Sequence, residues 1–385
     1  MSAPAQGTQA DILVVDDTPA NLRLLAQTLS ERGYGVRTVT SGERAFESAL
    51  AAPPDLILLD VRMPEMDGFA VCRQFKADER TRAIPILFIS ALDDLRDKVE
   101  AFHAGGVDYI TKPFQVEEVL ARTETHLALR RLQSRLEATN LRLERELALA
   151  GKVQASFLPA ALPQFDGWRF AAALRPARET SGDFYDLFRL PEGRLGLLIA
   201  DVVDKGVPAA LMMAMSAGLL LTYCDEYPRA PEQAFAAVNR SLTRHLGGQQ
   251  YLTALCGVLD PASGALVYAN AGHPAGFFFE PGREEIRRLG LGGPPLGILE
   301  EAAWTQAGVR MTPGSGLVLH TDGLTDAQSA DGATFGARRL AQAVQARRGQ
   351  PAEAILEGLL GEVEAFIGDA PQFDDIALLV VTRSL

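Results

Sequence analysis

The chain of 385 residues is long enough for two or three domains, and with 47% hydrophobic and 22% charged residues it excludes wholesale disorder. Lys plus Arg number 37 against 49 Asp plus Glu, a net charge of −12, which excludes a general binder of nucleic acid or of an anionic membrane, whose footprint is basic. The three cysteines, Cys72, Cys224 and Cys256, stand isolated in apolar stretches as neither a disulfide framework nor a zinc set. Residues 1–10 lack a signal-like pattern and no uninterrupted apolar run nears about 18 residues, so a soluble, cytoplasmic protein is expected.

Residues 11–15 form a compact apolar run ending in Asp16-Asp17. Leu22, Leu25, Ala26 and Leu29 then repeat at helical steps behind Thr18-Pro19. Residues 33–39 read as a strand, 43–51 as a helix, and 56–59 as a fully apolar strand ending at Asp60. Pro64, Asp67 and Gly68 predict a turn before a helix over 69–75, and 84–89 is a short apolar strand ending at Ser90. A helix over 94–104 stops at Gly105-Gly106, and Tyr109-Ile110 makes a last strand before Lys112-Pro113. Strands apolar throughout and alternating with helices predict an α/β fold, a doubly wound five-stranded parallel sheet covered on both faces.

Residues 116–157 contain no proline and a single glycine, Gly151. Leu129, Leu136, Leu143, Ala150 and Phe157 recur every seven residues among many Arg and Glu, which predicts a long charged helix with a heptad seam. The companion seam is poor, since Leu132 and Val153 alternate with Thr139 and Glu146. A coiled-coil homodimer and a single amphipathic helix packed on its neighbour both fit this pattern.

From Pro159 the texture changes. Strand-like runs at 195–200, 252–259, 265–269, 276–279, 316–320 and 376–381 are interleaved with helical stretches at 208–223, 231–246, 338–345 and 351–366. Clustered strands with paired helices predict an α+β layered domain. The expected organisation is a domain over 11–125, a helical linker over 126–158 and a second domain over 159–385.

Four polar features sit where apolar strands end: Asp16-Asp17, Asp60, Ser90 and Lys112. In an open parallel sheet those ends line one edge, where ligands bind. Three crowded carboxylates call for a divalent cation with oxygen ligands, and a lysine beside them suits an incoming anion. The pattern fits phosphoryl transfer to a carboxylate. The motifs ILVVDD, LILLDVRMPEMDG, FISA and DYITKPF, in that order and spacing, resemble a response-regulator receiver (CheY-like) domain. The resemblance implies Asp60 as phosphoacceptor and Mg²⁺ held by Asp16, Asp17, Asp60 and the Arg62 carbonyl. It further implies Ser90 and Lys112 as sensors of the phosphoryl group, Tyr109 as the switch aromatic and a cis Lys112-Pro113 bond. A histidine kinase is the implied phosphodonor.

The C-terminal region carries Asp-rich turns beside strand-like runs: residues 181–186 (SGDFYD) with Asp183 and Asp186, and the turns at Asp201, Asp322 and Asp374-Asp375. Several strand-end carboxylates converging on one site are how a two-metal hydrolase is built, and hard oxygen ligands select Mg²⁺ or Mn²⁺. The segments VQASFLP, ETSGDFYD, LLIADVVDKGVPAALMMA, TALCGVLDPASGALVYANAGHPAGFF, PPLGI, LHTDGLTDA and FDDIALLVV resemble the SpoIIE/RsbU-like branch of the PPM-type serine/threonine protein phosphatases. That likeness implies an αββα sandwich and two Mn²⁺ or Mg²⁺ ions on Asp183, Asp201, Asp322 and Asp374. The Val202 carbonyl assists, and Asp375 stands beside the ligands. Its implied substrate is a phosphorylated STAS-type anti-sigma-factor antagonist. Asp204 departs from the small residues usual in the family and adds a negative charge near the metal loop.

His273, in Asn270-Ala271-Gly272-His273, reads better as a hairpin residue than as a general acid. His103, His126, His245 and His320 share no ligand spacing, and Leu211, Met212, Met215 and Leu219 read as core packing. Arg178 fits a phosphate contact or a surface position. The leading expectation is a phosphorylation-controlled phosphatase, and the alternative is a non-catalytic adaptor that sequesters a partner. A nucleotide cyclase is set aside, because SGDFYD lacks the hairpin context of a cyclase signature.

Overall fold

The computed structural model describes residues 9–64, 66–91, 95–246, 250–290 and 292–385, with the side chains of 95–97 excepted. The polar leader and Asp94, the expected start of a helix, lie outside the described residues. The chain divides into two compact units, Met1–Leu141 and Arg142–Leu385.

The first unit runs β1 (Asp11–Val15), α1 (Pro19–Glu31), β2 (Gly35–Val39), α2 (Gly42–Ala51), β3 (Leu56–Asp60), α3 (Gly68–Ala77), β4 (Ile86–Ser90), α4 (Leu95–His103) and β5 (Asp108–Thr111). It ends in α5 (Val116–Ala155), whose range continues into the second unit. The sheet order is β2-β1-β3-β4-β5, all parallel. Alternate residues of each strand serve opposite faces, as the two-residue strand period requires. Ile12, Val14, Leu58 and Ile89 pack with Leu25 and Leu29 of α1 and Val119 of α5. Leu13, Val15, Leu59 and Phe88 pack with Ala45, Cys72, Phe75 and Ala101 on the other side. Ser41 caps α2 and Asp67 caps α3 through their side-chain oxygens.

The second unit carries β6 (Trp168–Arg175), β7 (Phe184–Leu190), β8 (Arg194–Val202), α6 (Val207–Glu226), α7 (Pro231–Leu246), β9 (Leu252–Leu259), β10 (Ala265–Ala271), β11 (Gly276–Phe279) and β12 (Arg287–Leu289). There follow β13 (Gln306–Arg310), β14 (Gly316–His320), the short α8 (Asp322–Thr325), α9 (Gly336–Ala346), α10 (Ala352–Ile367) and β15 (Ile376–Arg383). Two antiparallel sheets, β13-β10-β9-β8-β7 and β12-β11-β14-β15-β6, face each other. Leu197, Ile199, Leu255, Leu319, Leu379 and Val381 fill the space between them. Helices α6 and α7 cover the first sheet, and α9 and α10 the second, which gives the expected αββα layering.

Three expectations are corrected. Leu211 is 68% exposed and Met215 37%, so only the Met212 face of α6 is core, and Leu219 packs at its margin. That helix is long and apolar enough by length and composition to cross a membrane, but its buried side chains form the layer on the first sheet. Cys224 and Cys256 are not isolated in space, for α6 and β9 bring their Sγ atoms to 3.4 Å. The SGDFYD segment, read as a turn, is strand in its second half, since Phe184, Tyr185 and Asp186 open β7.

The heptad seam of α5 faces outward, with Leu129, Leu136 and Leu143 at least half exposed.

Candidate functional site

In the first unit the parallel strands deliver their ends to one edge of the sheet. Asp16 is fully buried, Asp60 nearly so and Asp17 half-buried, and their ligand atoms lie within 4.8 Å of one another. Lys112 Nζ donates to Asp16 Oδ2 at 2.9 Å and to Asp60 Oδ2 at 2.7 Å. Asn21 Nδ2 and the Thr18 N–H also donate to Asp16, and the Arg62 N–H reaches Asp60 Oδ1 at 3.4 Å. Gly68 packs so tightly on this edge that a Cβ would stand 2.3 Å from the Asp60 carbonyl oxygen.

Burial raises the Asp60 pKa, with Lys112 opposing and Asp16 adding to the rise. Burial alone would lower Lys112, but its hydrogen bonds to Asp60 and Asp16 prevail and raise it. The Lys112-Pro113 bond is cis, and the Lys112 N–H donates to the Ser90 carbonyl at 2.6 Å. The Tyr109 ring meets Phe102 edge-on at 6.2 Å and carries Lys98 Nζ at 4.9 Å from its centroid. Three close carboxylates, all oxygen donors, fit a hard divalent cation.

In the second unit the candidate carboxylates come from both sheets. Asp183 immediately precedes β7, Asp201 lies near the end of β8, Asp322 opens α8 behind β14, and Asp374-Asp375 precede β15. They converge less tightly than the first set. Among the described residues, only Asp16, Asp17 and Asp60 bring three such ligand atoms within 4.8 Å of one another.

Electrostatics nevertheless couples the C-terminal carboxylates. Burial, reinforced by Asp201, raises Asp183, and burial followed by Asp322 pushes Asp201 up to about 7. Asp322 is raised by burial, then by Asp326 and Asp374, against the charge of Lys205. Asp183 Oδ2 is buried without a hydrogen-bond partner among the described residues. An orphaned carboxylate oxygen among mutually repelling carboxylates fits a divalent cation, which would reverse these shifts.

Asp375 is committed elsewhere: Oδ1 accepts from the Ala177 N–H at 2.7 Å and Oδ2 from the Gly182 N–H at 2.8 Å. It thereby ties both ends of the loop that leads to Asp183, with Arg178 exposed on it. The Val202 N–H donates to the Gly182 carbonyl at 3.4 Å, so the Asp201 and Asp183 segments are joined. Asp204 adopts φ 87° and accepts from the Lys205 N–H at 2.9 Å, and it is exposed.

His273 is buried. Its Nδ1 pairs with Thr253 Oγ1 at 2.8 Å, and Asn270 Oδ1 accepts from its backbone N–H. Burial, with His320 nearby, pushes it down to about 3, so the imidazole is neutral at ordinary pH. His320 is buried too, stacks on Phe277 and is pushed down to about 4 by burial. His126 pairs with Asp108, and His103 and His245 are exposed.

Sequence reasoning overlooked Asp326, Lys205 and the contact of Gln154 with Ser181. Only Gly151, alone in a long helix, carries a sequence signal for that contact.

Residues 12–124 match the response regulator receiver domain family, and residues 191–384, half of the chain, match the Stage II sporulation protein E (SpoIIE) family. Protein IcfG of Synechocystis is 33% identical over 266 residues, covering 62% of this chain and 42% of that protein. The DNA-binding dual master transcriptional regulator RpaA of the same organism is 44% identical over 116 residues, covering 30% of this chain and 48% of that protein. The SiaA-PP2C domain of Pseudomonas aeruginosa superposes with a TM-score of 0.57 at 21% identity, covering 64% of this chain and 98% of that one, and so shares the fold. The chain spans less than half the length of these curated relatives.

Proposed function

Because the chain belongs to the SpoIIE family and carries a response-regulator receiver domain ahead of that region, we propose that it is a metal-dependent phosphoserine/phosphothreonine protein phosphatase under phosphorylation control. The observation that carries this reading is the Asp183–Asp201–Asp322–Asp374 set, whose mutual repulsion and orphaned Asp183 oxygen call for divalent cations. The proposed domains are the receiver over 11–125, a linker over 126–158 and the phosphatase over 159–385.

In the receiver, Asp16, Asp17, Asp60 and the Arg62 carbonyl would hold Mg²⁺, and Asp60 would accept the phosphoryl group from a histidine kinase. Lys112, already on Asp60, would follow the charge to the new phosphoryl oxygens, with Ser90 beside it and Tyr109 as the switch aromatic. In the phosphatase, Asp183, Asp201, Asp322, Asp374 and the Val202 carbonyl would hold Mn²⁺ or Mg²⁺, which supply an activated water and neutralise phosphoryl oxygens. Asp375 would keep the loop 177–182 in place through its two backbone hydrogen bonds. The proposed substrate is a phosphorylated STAS-type anti-sigma-factor antagonist. The exposed heptad seam supports a homodimer, the acidic charge argues against binding to nucleic acid or an anionic membrane, and a cytoplasmic location is proposed from the cysteine pattern.

The test is phosphate release from a phosphoserine STAS protein by the full chain with Mn²⁺. Asp201→Asn and Asp374→Asn are expected to abolish release; equal release by these variants would overturn the assignment. Absence of stoichiometric Mn²⁺ binding by the C-terminal unit of the unaltered chain would favour the adaptor reading.

A further inference from the structure

The geometry points to Lys205 as a tethered cation that competes with a divalent ion for Asp374 and so sets the metal affinity of the C-terminal site. This rests on the reading of that site as a metal centre.

The backbone aims the side chain. Asp204 at φ 87° and Gly206 at φ 76° flank Lys205 with left-handed conformations, and the Asp204 carboxylate takes the Lys205 N–H. A non-glycine residue persists at such a φ only where its surroundings fix it. The Lys205 ammonium lies 2.9 Å from Asp374 Oδ2, donates to the Phe373 carbonyl at 3.1 Å, and sits 4.7 Å from the centroid of the Phe373 ring. Its donors therefore find their partners within one two-residue segment.

The two halves of the site differ in consequence. Asp374 Oδ1 accepts from the Asp375 N–H at 2.9 Å, so both Asp374 oxygens are engaged. Asp183 Oδ2 is buried and has no hydrogen-bond partner among the described residues. An ion approaching Asp183 meets an available oxygen, whereas one that takes Asp374 must displace the ammonium or share an oxygen with it against like-charge repulsion. Displacement needs no repacking of the core, because the Lys205 side chain is 39% exposed, against 19% for Lys112.

The test is Mn²⁺ titration calorimetry on the full chain, with Asp17→Asn throughout to remove ion binding at the receiver. Lys205→Met is expected to tighten the weaker binding event about tenfold, while Lys205→Arg stays within about threefold of the parent. In an Asp374→Asn background the gain from Lys205→Met is expected to shrink below about twofold, since the shared partner is gone. Unchanged Mn²⁺ affinity in Lys205→Met, or a full gain that survives Asp374→Asn, would overturn the proposal alone. Absence of any Mn²⁺ binding in both the parent and Lys205→Met would overturn the metal reading and the proposal with it.

Discussion

Gln154, in the last turn of α5, pairs with the backbone of Ser181: its amide nitrogen donates to the Ser181 carbonyl, and its amide oxygen accepts from the Ser181 N–H at 2.9 Å. Gln154 is buried, and Ser181 Oγ in turn accepts from the Asp183 N–H at 3.0 Å. One turn earlier, a Cβ on Gly151 would stand 2.1 Å from the Glu179 carbonyl oxygen, so only glycine allows the helix this close. The helix that leaves the receiver thus ends on the loop that positions a candidate metal ligand.

Gln154→Ala removes both hydrogen bonds and leaves a buried backbone pair unsatisfied, at a cost of about 1–3 kcal/mol to the docked loop. Phosphatase turnover is expected to fall roughly tenfold by that arithmetic, and acetyl phosphate treatment of the receiver is expected to lose its effect on rate. Steady-state rates with and without acetyl phosphate check this. A variant that still responds like the parent would show that the signal bypasses Gln154.

The C-terminal carboxylates predict a pH dependence. Asp201 is held up to about 7, above its unfolded value of about 3.9, so the native state binds the extra proton. Its contribution to stability is full below about pH 4 and is lost as pH rises through about 7. In EDTA, Tm is expected to fall by roughly 5–10 °C between pH 5 and pH 8, and Asp201→Asn to flatten the fall. Added Mn²⁺ is expected to restore most at the higher pH, where the carboxylates are charged. Calorimetric scans over that range decide it.

Two glycine substitutions separate tight packing from open surface. A Cβ on Gly323 would lie 1.9 Å from the Asp375 carbonyl oxygen, so Gly323→Ala is expected to cost roughly 2–3 kcal/mol and to weaken Mn²⁺ binding. Gly361 is exposed in α10 with open space where a methyl would stand, and Gly361→Ala is expected to gain about 0.5–1 kcal/mol. Urea melts of the two variants should shift in opposite directions.

Leu136 is 62% exposed and Leu143 50%, one heptad apart on α5. If they form a coiled-coil seam, Leu136→Glu with Leu143→Glu should convert a dimer to a monomer in light scattering, with both domains still folded. An unaltered chain that is already monomeric at high concentration would rule the seam out.

Apolar periodicity made the first unit legible almost throughout, because β3 and β4 are buried at every position and β1 nearly so, which leaves continuous hydrophobic runs, while only the edge strands β2 and β5 are partly exposed. The second unit was less so. The edge strand β13 is exposed at every position but Val309, and β7 begins inside a motif whose Gly and Asp read as a turn. Leu211 was misread because helical spacing identifies an apolar face without saying which face is covered. The Lys205–Asp374 and Gln154–Ser181 contacts join positions 169 and 27 residues apart, and beyond the lone Gly151 no local pattern marks either pair.

The central claim is receiver-controlled, metal-dependent dephosphorylation of a phosphoserine protein by this one chain. The most direct measurement is the rate of phosphate release from a phosphorylated STAS protein with Mn²⁺, with and without acetyl phosphate, in the unaltered chain and in Asp60→Asn and Asp201→Asn. The account predicts release that changes with acetyl phosphate in the unaltered chain, an unresponsive rate in Asp60→Asn, and no release in Asp201→Asn. Release that persists in Asp201→Asn, or a response to acetyl phosphate that survives Asp60→Asn, would contradict it.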